Sequence, residues 1–81
     1  MNLYLISQSV NTGYDTYSDA VVAAESEEQA RNIHPDGTPE SKDDYFRRST
    51  WAPVKDVQVE LIGIAKDGTK VGVICASFHA G

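Results

Sequence analysis

The apolar residues of this chain fall into four short runs, and this arrangement constrains the fold more than any other feature of the sequence. The runs are Leu3 to Ser7, Ala20 to Ala24, Val57 to Ile64 and Val71 to Phe78. Each has the length of a β-strand, and most of their residues are β-branched, aromatic or otherwise apolar. None approaches the roughly 20 apolar residues that span a bilayer. The sequence therefore predicts four strands and no membrane span.

A single helix signal lies between the second and third runs. Ser26 is followed three residues later by Gln29, which is a capping box, and Glu27 and Glu28 occupy the first turn, where the helix dipole favours acids. Pro35 cannot continue a helix. We therefore expect a short helix of about two to three turns that begins after Ser26.

The turn residues predict how the strands are connected. Gly63 interrupts the apolar alternation of the third run and indicates a bulge, and Asp67-Gly68 predicts a hairpin turn between the third and fourth strands. The expected fold class is α+β: a mostly antiparallel sheet of about four strands in the order β-β-α-loop-β-β, with one short helix packed on one face. Residues 1–81 are too few for a second core, so we expect a single domain.

The stretch 36–55 is polar, with prolines near both ends, and we expect it to be mostly irregular. So long a loop in so small a domain indicates either a functional segment or an element that the pattern does not reveal. A short helical turn around Lys42 to Arg47 is the element that we would expect there.

Charge is distributed unevenly along the chain. The net charge is −5; residues 1–44 hold nine acids and two bases, whereas residues 45–81 hold three acids and five bases. Nucleic-acid-binding domains usually present a basic face, so we expect no direct binding to DNA or RNA. An acidic surface suits a basic protein partner. The alternative is that the charge only keeps a small protein soluble.

Few residues could support chemistry. Cys75 is the only cysteine, which excludes an intramolecular disulfide and fits a reducing compartment. Cys75 is expected to be a small buried residue, and His79 on the same strand would lie about 13 Å away, too far for an ion pair. His34 is better explained by the end of the helix than by catalysis. We expect no enzyme activity, no cofactor and no metal, and, because the first residues lack a signal-peptide pattern, a cytoplasmic location.

Two aromatic loops and the acidic helix start supply the candidate binding residues. Tyr, Trp and Arg are enriched at binding hot spots, and neighbouring acids add charge complementarity. For Trp51 the alternative, a lid over the small core, stays open. The candidates are Tyr14, Asp15, Tyr17, Asp19, Glu27, Glu28, Tyr45, Phe46, Arg47, Arg48 and Trp51.

Three segments of the chain carry a resemblance to a known group. These are Tyr4-Leu5-Ile6-Ser7-Gln8, the Gly13-Tyr14-Asp15-Thr16-Tyr17 segment with Ala20 to Ala24, and the closing residues 72–81. Together they resemble small hypothetical proteins encoded by bacteriophages and prophages. The resemblance implies a phage accessory protein in the host cytoplasm, and small acidic proteins of this kind often inhibit host defence. It brings no catalytic residues to this chain.

Two functional hypotheses follow. The first is a non-catalytic phage accessory protein that binds and inhibits a host protein, such as a CRISPR or other anti-phage defence component, through its acidic and aromatic surface. The alternative is a small-molecule, nucleotide-like binding module formed at an oligomer interface. A homodimer joined through the edge strands of the sheet is compatible with either.

Overall fold

The structure, a computed structural model, describes residues 1–13, 15–37 and 50–79, apart from the side chain of residue 79. Within these residues it contains the predicted four strands and the predicted helix after Ser26. The elements are β1 (Asn2–Ser7), β2 (Thr16–Ala24), α1 (Glu27–Asn32), a 3-10 turn (Val54–Asp56), β3 (Gln58–Ile64) and β4 (Gly72–His79). The α+β class, the element order and the antiparallel sheet are confirmed.

The strands are ordered β3-β1-β2-β4, and every neighbouring pair is antiparallel. The predicted hairpin between the third and fourth strands is therefore wrong. A turn does form there, since the Thr69 N–H donates to Lys66 O at 3.0 Å, but it belongs to a connection that passes Met1 and links the two edges of the sheet. The central positions go to β1 and β2, which supply all the strand residues of the buried core cluster.

One face of the sheet holds the core. Tyr4 and Ile6 of β1 and Val22 of β2 point to this face, where α1 and the segment that contains Trp51 cover them. Alternation along the strands brings every second side chain to this side. The core consists of Tyr4, Ile6, Ala20, Val22, Ala24, Ala30, Ile33, Trp51 and Val57.

The helix begins as predicted but is shorter than predicted. The Ser26 hydroxyl accepts the Gln29 N–H at 3.1 Å, and the Gln29 side chain accepts the Glu25 N–H at 2.7 Å. The helix has only six residues, because Ile33 turns to an extended conformation (φ −77°, ψ 129°) before Pro35 is reached. Helical geometry is also unfavourable for His34, because it precedes Pro35. The extended backbone after the helix buries both Ile33 and His34.

Other boundaries differ from the prediction at polar positions. β2 begins at Thr16 rather than at Ala20, because Ser7 of β1 pairs with Asp19 and Thr16 pairs with β4. The predicted bulge is confirmed: β1 residues Leu3 and Tyr4 pair with Gly63 and Leu61, so residue 62 is the extra one. The stretch predicted as irregular ends in the 3-10 turn, and the helical turn expected around residues 42–47 lies outside the described residues.

The second face of the sheet carries Leu5, Val21 and Cys75, with Leu5 and Val21 half-buried. Cys75 is exposed, which corrects the expectation that it is a small buried residue. The cause is its position: β4 is an edge strand, so Cys75 has a neighbouring strand on one side only. Its register partner Val21 lies on that side.

Candidate functional site

The β1–β2 loop is organised by one buried side chain, Gln8. Its Nε2 donates to Asn11 O (2.7 Å) and Tyr17 O (2.8 Å), and its Oε1 accepts the N–H groups of Val10 (2.9 Å) and Asn11 (2.8 Å). Both amide protons and both acceptor positions are therefore used. The loop has a defined shape because a single side chain replaces the backbone partners that a strand would supply.

Sequence reasoning missed Gln8, although a signal existed. Gln8 continues the alternation of Tyr4 and Ile6, whose side chains point into the core. A polar residue at such a position must satisfy its hydrogen bonds locally. An inward-facing amide at the end of a strand therefore indicates a loop that folds back onto it.

The rest of the loop is held by two further contacts. The Thr16 hydroxyl donates to Gly13 O at 2.6 Å, and the Asn11 Nδ2 donates to Trp51 O at 3.2 Å. The second contact joins the two predicted loop regions at one end of the sheet. Asp15 is exposed at the loop tip with φ 59°, a left-handed conformation that Asp tolerates better than most residues.

A shallow depression of about 240 Å³ lies between this loop and the end of β4. Hydroxyl and amide groups line it, and Phe78 supplies an aromatic wall. Its volume is below the range of about 300–1,000 Å³ that is typical of small-molecule sites. One chain therefore offers room for a side chain or a small polar group but not for a whole nucleotide. The lining residues are Gln8, Asn11, Thr12, Thr16, Ser18, Ser77 and Phe78.

Tyr17, a predicted binding residue, is half-buried between the core and the edge strand. Its ring lies 4.7 Å from the Phe78 ring and 5.9 Å from the His34 ring, both in edge-to-face geometry. Edge-to-face pairs are stabilising beyond the area they bury. Tyr17 therefore packs between Phe78 of β4 and His34, and only part of the Tyr17 ring is free for a ligand.

His34 is fully buried and has a structural role. Nε2 forms a hydrogen bond with Thr50 Oγ1 at 2.9 Å; Nδ1 accepts the Asp36 N–H at 3.0 Å in the neutral ring and donates to Asp36 Oδ1 in the protonated ring. Asp36 Oδ1 also lies 3.0 Å from Nδ1. These contacts tie the turn after the helix to the segment that contains Trp51; they do not involve helix carbonyl groups, because the C-cap of α1 is Ile33.

Trp51 belongs to the core and not to the surface. Its side chain is fully buried, and among the described residues its Nε1 is the buried side-chain nitrogen that has no hydrogen-bond partner. Of the two interpretations of Trp51, the structure favours the lid over the core. An indole that is fully covered cannot act as a binding anchor in this conformation.

The acids of the predicted surface are not brought together with the loop. Glu27 and Glu28 are exposed at the start of α1, next to the end of β2 that pairs with Asn2. Asp15 lies at the other end of β2, which is about 27 Å away for a nine-residue strand. Asp19 lies on the second face of the sheet, beside Cys75. The predicted residues thus occupy three separate places.

Five candidates lie outside the described residues. They are Tyr14, Tyr45, Phe46, Arg47 and Arg48.

Within residues 1–13, 15–37 and 50–79, no group of three or more His, Cys, Asp or Glu side chains is arranged to hold a metal ion. No helix in this part of the chain is both long enough and apolar enough to cross a membrane. Comparison with known proteins gives no match to a family model, a curated protein or a solved structure.

Proposed function

We propose that the chain is a non-catalytic binding protein that inhibits a host protein, such as a CRISPR or other anti-phage defence component, and that the exposed acids of α1 contact a basic surface of that partner. The observation that carries the proposal is the charge and exposure of the helix start. Glu25, Glu27 and Glu28 are all exposed within four residues.

The helix geometry explains why these acids stay available. Ala30 is fully buried against the sheet, which directs Glu28 towards solvent on the opposite side of the helix. Arg31 donates to Val57 O at 2.6 Å, and its second nitrogen lies 3.6 Å from Glu27. Because the Glu27 side chain is 63% exposed, this ion pair is weak and can be exchanged for a pair with a partner.

The main effect of such an acidic surface on a basic partner is on the rate of association. Complementary charge raises the association rate, and this effect becomes smaller as the salt concentration increases. The expected complex is therefore salt-sensitive.

The test is an affinity pull-down of the tagged chain from bacterial lysate at low and high salt, followed by mass spectrometry. The test variant is Glu27→Lys/Glu28→Lys. The matched control is Glu60→Lys/Asp67→Lys, which makes the same change of net charge at exposed positions on β3 and in the turn after it. We expect a stoichiometric host protein that the wild type and the control retain at low salt and that the helix variant loses. Equal retention by both variants, with equal melting temperatures, would exclude α1 as the contact.

A second candidate, a nucleotide-like binding module between subunits, is supported by the position of the polar depression. The depression is too small on its own, but Ser77 and Phe78 of the edge strand β4 form one of its walls. A second chain against this edge would enlarge it. A thermal-shift screen with nucleotides tests this candidate, since a ligand that binds the folded state raises the melting temperature. Unchanged melting with every nucleotide would count against it.

A further inference from the structure

The free edge of β4 has the properties of a strand that pairs with another strand. β2 covers one side of β4, and the five consecutive side chains from Ile74 to Phe78 are exposed. Proteins usually protect such edges with charged residues or proline. Residues 72–79 contain neither Asp, Glu, Lys, Arg nor Pro. The opposite edge strand, β3, carries the charged residue Glu60.

From this edge we infer that β4 pairs with β4 of a second copy of this chain, antiparallel across a two-fold axis at Ala76. The partner is a second copy because the strand is complementary to itself. In a two-fold symmetric contact, a residue of the first copy that meets a given residue of the second copy is itself met by that same pair in reverse, so paired residues lie at equal distances from the axis. Ile74 and Phe78 lie at equal distances from Ala76 in the sequence.

The side chains fit this register. Ile74 would lie opposite Phe78 of the second copy, and this pair forms twice, once on each side of the axis. Aromatic and β-branched residues are a favourable cross-strand pair. Ile74 is 53% exposed and Phe78 is 45% exposed, so the two largest exposed apolar side chains of the strand cover each other. Ala76 on the axis is small enough for close approach.

Charge favours the same surface. Two copies with a net charge of −5 each repel, and contact requires a surface that brings no acid opposite another acid. β4 meets this requirement along its whole length. Pairing of β3 with itself about Leu61 would instead place each Glu60 opposite Ile62 and bury charge against an apolar side chain.

The contact is expected to be short and therefore weak. The register with β2 shifts between Val21 and Val22, so Ile74 is the extra residue of a bulge; the bend limits the pairing to Ile74–Phe78 and stops it from continuing towards Gly72. About five residues of each chain pair. The area that they bury is smaller than that of a standard stable interface. We expect a dimer that dissociates on dilution.

Cysteine cross-linking tests the register. Cys75 would lie opposite Ser77 of the second copy, so the two Cys75 Cα atoms are about 8 Å apart, which is beyond disulfide reach. In the variant Cys75→Ser/Ala76→Cys, the two introduced thiols meet on the axis at a Cα distance of about 5 Å. The control is Cys75→Ser/Lys55→Cys, with a cysteine at an exposed position away from β4.

We expect the Ala76 variant to form a disulfide-linked dimer under mild oxidation at least ten times faster than the Lys55 control or the wild type. Sedimentation equilibrium of the wild type should show a concentration-dependent species with twice the mass of one chain, and Ile74→Lys should remove it without lowering the melting temperature. Cross-linking of the Ala76 variant no faster than the control, or fastest through Cys75 itself, would overturn the inference. So would a wild type that stays monomeric at millimolar concentration. None of these results depends on whether α1 binds a host protein.

Discussion

Replacement of Trp51 tests the architecture of the core and the origin of its stability. The indole is fully buried, so Trp51→Ala leaves a large cavity under the sheet. Such substitutions cost about 3–5 kcal/mol. A chain of 81 residues is expected to have a total unfolding free energy of about 4–12 kcal/mol. The alanine variant should therefore lose a large share of its stability, with a marked fall in the urea midpoint.

Trp51→Phe should behave very differently. The smaller ring loses packing worth about 1–2 kcal/mol. However, the Trp51 Nε1 has no hydrogen-bond partner among the described residues, and an unsatisfied buried N–H costs about 1–3 kcal/mol. The two effects offset each other, so we expect a net change within about 1 kcal/mol.

The assay is urea unfolding followed by far-UV circular dichroism, because the only tryptophan is removed in both variants. A phenylalanine variant as unstable as the alanine variant would show that the indole N–H makes an essential bond. An alanine variant with nearly wild-type stability would show that Trp51 does not lie in the core.

Three further predictions concern local structure, and each is checked by the same unfolding assay. Ser26→Ala removes the helix cap and should cost about 1 kcal/mol, whereas Ser9→Ala, at an exposed loop position, should cost almost nothing; equal effects would contradict the role of the cap. Gln8→Glu keeps the acceptor but loses both donors to Asn11 O and Tyr17 O, so we expect a loss of about 2–3 kcal/mol; a neutral result would mean that the loop does not need these bonds. Tyr17→Leu removes both ring pairs and should cost about 1–3 kcal/mol, whereas Tyr17→Phe retains them and should cost less than about 1 kcal/mol; equal losses would show that the rings are not what stabilises this position.

Features set by neighbouring residues could be predicted from the sequence. The Ser26 cap depends on contacts within four residues, and the bulge at residue 62 depends on one glycine in an alternating strand. The Asp67-Gly68 turn also forms. In each case the pattern and the structure it predicts involve the same few residues.

Features set by distant pairing could not be predicted in this way. The turn at residues 66–69 is compatible with a hairpin, but which strands pair is decided by competition for the centre of the sheet. β1 and β2 take that centre, so β4 becomes an edge strand and exposes Cys75. The same competition determines which loops meet, whereas the length of β2 alone separates Asp15 from the acids of α1.

Only part of the candidate site could be predicted from the sequence. The acids of the helix start belong to the predicted acidic surface, and Glu27 and Glu28 are exposed in the structure. Aromatic residues serve the core as readily as a binding surface, and composition does not distinguish these uses. Trp51 is buried and Tyr17 is half-buried because a domain this small needs large side chains to close its core.

The most direct test of the proposed function is the affinity of the captured host protein for the wild type and for Glu27→Lys/Glu28→Lys, measured by isothermal titration calorimetry across a series of salt concentrations. We expect the wild-type affinity to fall steadily as salt increases and the variant to bind at least tenfold more weakly at low salt. Wild-type affinity that does not change with salt, together with equal affinity of the variant, would contradict it.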